Sequence, residues 1–411
     1  MGGRGHPERI GGELLMTDYL TNDTELTAVA NAIRTRGGTS AALEWPDGYV
    51  DAVEAIPGGG GGGDEDFKAV IEGNAVNPVL PAGLTKIRKY AFYQMTALEE
   101  PSIPDTVTAI EMYAFSGCTN LKLTSLPAGL TSINTYAFQN CRNMRLASLP
   151  SGLRGNIGNY TFYGCANITL TSLPAGVNQA ADYSFTNCTN LALTSLPSGV
   201  GGVGVQAFQN CINMPLASLG NSLMTIGNSA FYHCKSMCIT SLPSTLTSIG
   251  QTAFQGCISI RSLESTAAIT SMGTSCFTGT TTYRPMLLER VSFPNMSLST
   301  LSTSFGSTTA ANACMNLEVA DVGTVGSIAA NAFANCNKLT TLVLRKTNAI
   351  TSLANVSAFL NTPMRGYGGL TGTVYVPAAR LANYQTASNW KTLYNAGTVT
   401  FVAIEGSEYE L

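Results

Sequence analysis

Charge is what this sequence has least of. Only 11% of its residues are Asp, Glu, Lys or Arg, against about 25% in an ordinary domain. The net charge is −3 and no basic run occurs, so the electrostatic footprint of a nucleic-acid or anionic-membrane binder is missing. Histidine is scarce as well, with His6 and His233 the only two. Neither has a spaced partner suggesting a Ser–His–Asp or Cys–His unit, so the sequence offers no catalytic set and an enzyme is not expected. No apolar run reaches the roughly 18 residues of a membrane helix. The N-terminus lacks the charged, apolar and small-residue segments of a secretory leader. Residues 1–16 differ in character from all that follows and read as an upstream extension, with Gly11-Gly12-Glu13 placed so that their codons could serve as a ribosome-binding site for a start at Met16.

What fills the chain instead is Ser, Thr, Asn and 42 Gly around an apolar fraction of 45% over 411 residues. That is enough for a large buried core and more than one domain. The apolar residues are strictly periodic. Phe recurs as Phe92, Phe115, Phe138, Phe162, Phe185, Phe208, Phe231, Phe254 and Phe277, in steps of 23 with a single 24. Cys follows three residues later as Cys118, Cys141, Cys165, Cys188, Cys211, Cys234 and Cys257. Asn comes two after Cys at Asn120, Asn143, Asn167, Asn190 and Asn213, then an apolar run such as Leu121, Leu123 and Leu126, closed by Leu-Pro. The extra residue of the 24-residue step has a place to go, because Leu130 and Ile133 are three apart whereas Leu153 and Ile157 are four apart, with Gly155-Asn156 between.

A fixed period of this length is the signature of a leucine-rich-repeat coil, whose apolar face is buried only by stacking on its neighbours. Each Phe then lies over the previous Phe and each Cys over the previous Cys. The short apolar runs suit strands, and the Pro after each Leu stops their extension. At the strand spacing of roughly 4.8 Å, eight coil intervals span about 40 Å. The expected fold is therefore a repeat solenoid of short strands, turns and short helices.

Runs such as Leu-Pro-Ala-Gly-Leu-Thr-Ser-Ile-Asn-Thr-Tyr-Ala-Phe-Gln-Asn-Cys at 126–141, and the segment from Leu242 to Cys257, resemble the BspA-like leucine-rich-repeat family. The resemblance covers about two thirds of the chain. It implies a right-handed solenoid with a binding or adhesive role at a bacterial or extracellular surface, and it implies no catalysis and no cofactor.

The array is expected over 67–345, with the register degraded at 278–330, where the Phe steps lengthen to 28 at Phe305 and Phe333. Residues 346–411 read as an α/β cap, with a strand at 373–376 ended by Pro377, a helix at 378–390 and a last strand at 399–404. At the other end, residues 17–57 read as a small helical module, with Asp23-Thr24 as N-cap and a helix through Leu26, Val29, Ala30 and Ile33 stopped by Gly37-Gly38. A second short helix is expected from Gly48 to Ile56, and two short helices are too small a core to stand alone. Residues 58–66 follow as a linker, whose six glycines at 58–63 give a reach of roughly 13 Å. The segment Leu-Thr-Ala-Val-Ala-Asn-Ala-Ile-Arg-Thr-Arg-Gly-Gly-Thr-Ser at 26–40, with Trp45-Pro46-Asp47-Gly48-Tyr49-Val50, is similar to modules at the start of bacteriophage tail-associated structural proteins. That similarity implies attachment to phage tail or baseplate proteins through 17–57, a virion location and a possible trimer, with the solenoid meeting a host-surface glycan or protein.

Two outward stripes are candidates for contact. Tyr stands two residues before Phe at Tyr90, Tyr113, Tyr136, Tyr160 and Tyr183, and the next three coils carry Gln206, Ser229 and Thr252. Such a row could bind sugar rings or protein surfaces, or could simply pack along the coil corner; the packing reading is favoured. Four after Cys, the column Lys122, Arg145, Thr169, Ala192, Pro215, Cys238 and Arg261 varies from coil to coil. It could set specificity or be an unselected solvent face. The cysteines, with Cys336 as an eighth on the ladder, read as core. Stacked neighbours pointing the same way are poorly placed for disulfides. Cys238, Cys276 and Cys314 fall off this ladder, and His233-Cys234 with Cys238 lacks a fourth ligand for a metal.

Overall fold

The computed structural model describes residues 76–280 and 286–411. The chain divides into two units, Met1–Asn74 and Ala75–Leu411; the module at 17–57 and the glycines at 58–63 lie outside the described residues. The second unit is a parallel β-solenoid. Its first coils are joined by two-residue strands, Lys86–Ile87, Ala109–Ile110 and Ser132–Ile133, each pairing with the next in parallel. A second sheet continues through Gly155–Ile157, Val177–Ala180, Gly202–Val203, Thr225–Ile226, Ser248–Ile249 and Ser271–Met272. The register slips once, between Gly155 and Asn156, where Gly155 takes a φ of 80°. That is the position expected to absorb the extra residue of the long step.

The strands do not fall where the apolar runs suggest. In the N-terminal half they lie in the Thr-Ser-Ile segments, while the Leu121–Leu126 side is buried at Leu121 and Leu126. That side is joined by isolated bridges such as Ser195↔Ser218 and Ser241↔Glu264 and by single hydrogen bonds such as Lys122 N–H to the Glu99 carbonyl at 2.7 Å, without continuous strands. Leu-rich runs ended by Pro bury well but make short ladders. On that same side, full strands begin at Ser262–Glu264 and build a six-stranded parallel sheet with Arg290–Ser292, Val319–Asp321, Thr341–Val343, Gly372–Val376 and Val399–Ala403. Here Val and Thr replace Leu at many positions, as β-branched residues favour the pleated surface. The opposite side continues as Ser297–Leu301, Thr324–Ile328 and Ser352–Leu353.

One column of rings runs through this core, as the Phe period predicts. Phe92 and Phe115 stack at 4.9 Å between centroids with 6° between planes, and Phe115 and Phe138 at 5.2 Å with 2°. Phe231 lies 5.5 Å from Phe208 on one side and 5.5 Å from Phe254 on the other. All of these rings are fully buried. The column passes without a break through Phe254 and Phe277 at 5.4 Å, Phe277 and Phe305 at 5.3 Å, and Phe305 and Phe333 at 5.6 Å. The degraded register at 278–330 is therefore a matter of longer coils, not of an interrupted core. The stack even extends past the expected array end, since Phe333 and Phe359 lie 5.7 Å apart and 3° from parallel. Trp390 then closes it, tilted 44° over Phe359, with its indole N–H donating to the Thr351 carbonyl at 2.8 Å.

The single helix expected at 378–390 is two helices, Leu381–Thr386 and Ser388–Asn395, preceded by a 3-10 turn at Ala378–Arg380. Ala387 between them is extended at ψ 129°. The Thr386 hydroxyl bonds back to the carbonyls of Ala382 and Asn383, a competition that ends helices. No helix among the described residues is long and apolar enough to cross a membrane.

Candidate binding surface

Each coil from Phe92 to Phe254 turns its corner with two left-handed residues, one on either side of Phe. The first is the tyrosine position: φ is 64°, 59°, 60°, 55° and 58° at Tyr90, Tyr113, Tyr136, Tyr160 and Tyr183, then 53°, 54° and 55° at Gln206, Ser229 and Thr252. The second lies two after Phe and carries Gln94, Gly117, Asn140, Gly164, Asn187, Asn210, His233 and Gly256. Left-handed backbone disfavours residues with a Cβ by roughly 1–2 kcal/mol. The second column meets that demand with Gly or Asn at six of its eight positions, Gln94 and His233 being the others; the first column does not.

What supports the tyrosines is each other. Their rings stack nearly parallel at 5.0, 4.5, 4.7 and 4.5 Å from Tyr90 to Tyr183. Tyr93 sets its edge against both Tyr90 and Tyr113, and Tyr163 leans on Tyr160. The five rings are half-buried, and ring contacts of this kind contribute about 0.5–1.5 kcal/mol each. Burial, then the neighbouring phenols Tyr183 and Tyr136, push the Tyr160 hydroxyl up to about 12. Ring faces along the row are thus occupied. A partner can reach phenol edges and hydroxyl tips, over a length of about 19 Å at the strand spacing.

The Phe–Cys frame beneath the row is regular to the level of single bonds. Each ladder thiol donates to the carbonyl of the preceding coil's Phe, as Cys141 to Phe115 at 3.0 Å, Cys165 to Phe138 at 3.0 Å and Cys257 to Phe231 at 3.0 Å. This constant frame matches the model of the BspA-type leucine-rich-repeat region, in six copies, over residues 85–215, 155–284 and 285–365. The chain belongs to the BspA-type leucine-rich-repeat family. Among solved structures it is similar to a leucine-rich-repeat protein from Bacteroides ovatus, at 22% identity and a TM-score of 0.53, covering 80% of this chain and 84% of that one. It is also similar to a leucine-rich cell surface protein from Faecalibacterium prausnitzii, at 20% identity and a TM-score of 0.42, covering 78% and 81%. The comparison with curated proteins gives no match. The matched segments do not reach residues 26–50.

The BspA-type frame also places the cysteines that spacing alone leaves off the ladder. Cys314 sits on it: its thiol donates to the Phe277 carbonyl, and its own N–H donates to Phe305 at 3.0 Å, as Cys118 does to Phe115 at 3.1 Å. A loop between Phe305 and Cys314 lengthens the usual spacing, which hid the match. Cys276 is buried and donates to the carbonyls of Gly250 and Gly273. Burial raises the thiol pKa of Cys118 and Cys276 from 9.0 to about 12 and that of the other ladder thiols further. Cys238 alone among the eleven cysteines is exposed.

His233, Cys234 and Cys238 are not gathered into a site. The Cys234 thiol faces the core and donates to Phe208, while the His233 Nδ1 meets Asn210 at 3.2 Å. Burial, aided by Lys235, lowers the imidazole to about 4. Among the described residues no group of three His, Cys, Asp or Glu could hold a metal ion.

In the variable column Lys122, Arg145, Thr169, Cys238 and Arg261 are exposed and Ala192 and Pro215 half-buried. Two of its charges are spoken for: Lys122 pairs with Glu99 at 2.7 Å and Arg261 with Glu289 at 3.1 Å. Beside it runs an amide ladder, with Asn190 donating to Asn167 at 3.2 Å and Asn213 to Asn190 at 3.1 Å. The asparagine periodicity is visible from spacing alone. The left-handed corners escape that reading, although the Gly and Asn of the second column signal them.

Proposed function

We propose that this chain is a non-catalytic, adhesin-type binding protein of the BspA-like kind that presents its solenoid at a bacterial or extracellular surface, with the tyrosine row as a contact edge. One observation carries the reading. The row stops at Tyr183 while the Phe stack and the Cys ladder run on unchanged, and Gln206, Ser229 and Thr252 hold the same backbone conformation. The coil therefore does not require Tyr at its corner. Five consecutive half-buried tyrosines have the composition of an interaction surface, where Tyr is enriched. Because the ring faces are mutually covered, the partner is met by edges and hydroxyls, which suits a protein surface or the rim of a glycan better than a stacked sugar ring.

Binding of labelled full-length chain to intact bacterial and host cells tests this reading. Saturable binding, competed by unlabelled chain, supports it; no binding to any cell surface sinks it. A second reading, display on a bacteriophage tail, is favoured by the residues at 26–40 and 45–50 and the glycines at 58–63. The chain in purified virions supports that reading, and its confinement to a bacterial envelope fraction removes it.

A further inference from the structure

The tyrosine row is also the largest group of touching phenols among the described residues. From Tyr90 to Tyr183 consecutive rings lie 4.5–5.0 Å apart and 6–8° from parallel. Tyr93 joins them at 5.4 Å from Tyr90 and 6.0 Å from Tyr113, and Tyr163 at 5.6 Å from Tyr160, so seven phenols form one connected array. The backbone holds the array in register. Each corner tyrosine N–H donates to the next coil, as Tyr136 to Asn159 and Tyr160 to Asp182, both at 3.0 Å. The rings are half-buried, so their faces shield one another while part of each phenol meets water.

Phenols, thiolates and indoles are the side chains that lose an electron most readily, and thiolates are withheld here. The ladder thiols beneath the row are buried and held protonated, their pKa raised to about 12 at Cys118 and well above the ordinary value at Cys141. The Phe rings resist oxidation and do not drain the row. An electron vacancy on one phenol thus passes to the next ring by contact, and two vacancies in one array meet on neighbouring rings. Exposure alone would favour other tyrosines. Tyr367 and Tyr394 are 45% and 39% exposed, yet neither touches another tyrosine ring among the described residues. Tyr375 and Tyr409 touch at 4.6 Å, but only as a pair and with Tyr409 7% exposed.

We propose that the row is an oxidative cross-linking site, at which tyrosines of successive coils join as dityrosine and tie the coils covalently. Two phenols together lose two electrons to a one-electron oxidant that acts twice, and two protons to water. A C–C bond forms between ring carbons ortho to the hydroxyls, one C–H bond breaks on each ring, and both hydroxyls are restored. The site is independent of whether the row also meets a partner.

Photo-oxidation of the full chain by a ruthenium tris-bipyridyl complex with persulfate, at low chain concentration and with Cys238 alkylated, tests the proposal. Peptide mapping should find dityrosine within one chain between Tyr113 and Tyr136, Tyr136 and Tyr160, or Tyr160 and Tyr183. Replacing Tyr113, Tyr136 and Tyr160 together by Phe keeps the stacked rings and should remove those cross-links and most of the dityrosine fluorescence. If that variant fails to fold, the map of the wild type decides. Cross-links chiefly at Tyr367 or Tyr394, cross-links between chains in place of within them, or oxidation without dityrosine would overturn it.

Discussion

Raising the pH should unfold this solenoid abruptly, because ten of its eleven cysteines are buried as thiols. For Cys118 and Cys276 burial moves the pKa from 9.0 to about 12, and the remaining buried thiols move in the same direction. The folded state thus holds protons that the unfolded chain releases above pH 9. Stability is full below that value and falls as pH rises through the window from 9 towards 12. Each thiol removes about 1.4 kcal/mol per pH unit beyond its unfolded pKa. At pH 10 ten such groups remove about 14 kcal/mol, comparable with the roughly 5–15 kcal/mol that holds a domain together. Far-UV circular dichroism against pH, in reductant, should show one cooperative loss between about pH 9 and 10.5, reversible on return. Thiolate absorbance beyond that of the exposed Cys238 should rise with that transition and not ahead of it. A native spectrum persisting above pH 11, or thiolate beyond that of the one exposed cysteine, Cys238, forming while the spectrum is still native, would contradict this.

Other perturbations separate the parts of the frame. Phe185→Ala deletes a ring held between Phe162 and Phe208, each at 5.3 Å, and should cost about 3–5 kcal/mol in thermal or urea unfolding. Equal melting temperatures for variant and wild type would contradict the stack. Asp321 receives three short contacts from Arg345, including a 2.6 Å bond from Nη2, with the side chains 4% and 12% exposed. Arg345→Met should therefore cost about 3–5 kcal/mol, whereas Lys122→Ala at the exposed Glu99 pair should cost at most about 1 kcal/mol. Similar losses in the two variants would show that burial does not distinguish these pairs.

The repeat was legible because every coil from Phe92 to Phe277 gives the same residue the same job. Spacing alone placed the Phe stack, the core role of the cysteines and the slip at Gly155. It failed where chain length between fixed points changed. Cys314 occupies its ladder rung only because the chain between Phe305 and Cys314 loops out, a three-dimensional fact that linear counting misses. Strand positions failed for another reason: Leu runs and Thr-Ser-Ile runs are both extended and half-apolar, and pairing chooses between them through the whole stack. The tyrosines were visible as a stripe, but the occupation of their faces depends on ring orientation, which periodicity does not encode.

The row of five tyrosines carries the proposed contact. Its most direct test is the affinity of full-length chain for the surface it binds, with Tyr113, Tyr136 and Tyr160 together replaced by Phe. The replacement keeps the stacked rings and removes only the hydroxyl tips, so the fold should be retained. Three lost hydrogen bonds of about 0.5–1.5 kcal/mol each predict at least a tenfold weaker Kd. Affinity within twofold of the wild type, with the fold unchanged, would return the tyrosines to packing and move the contact to another face.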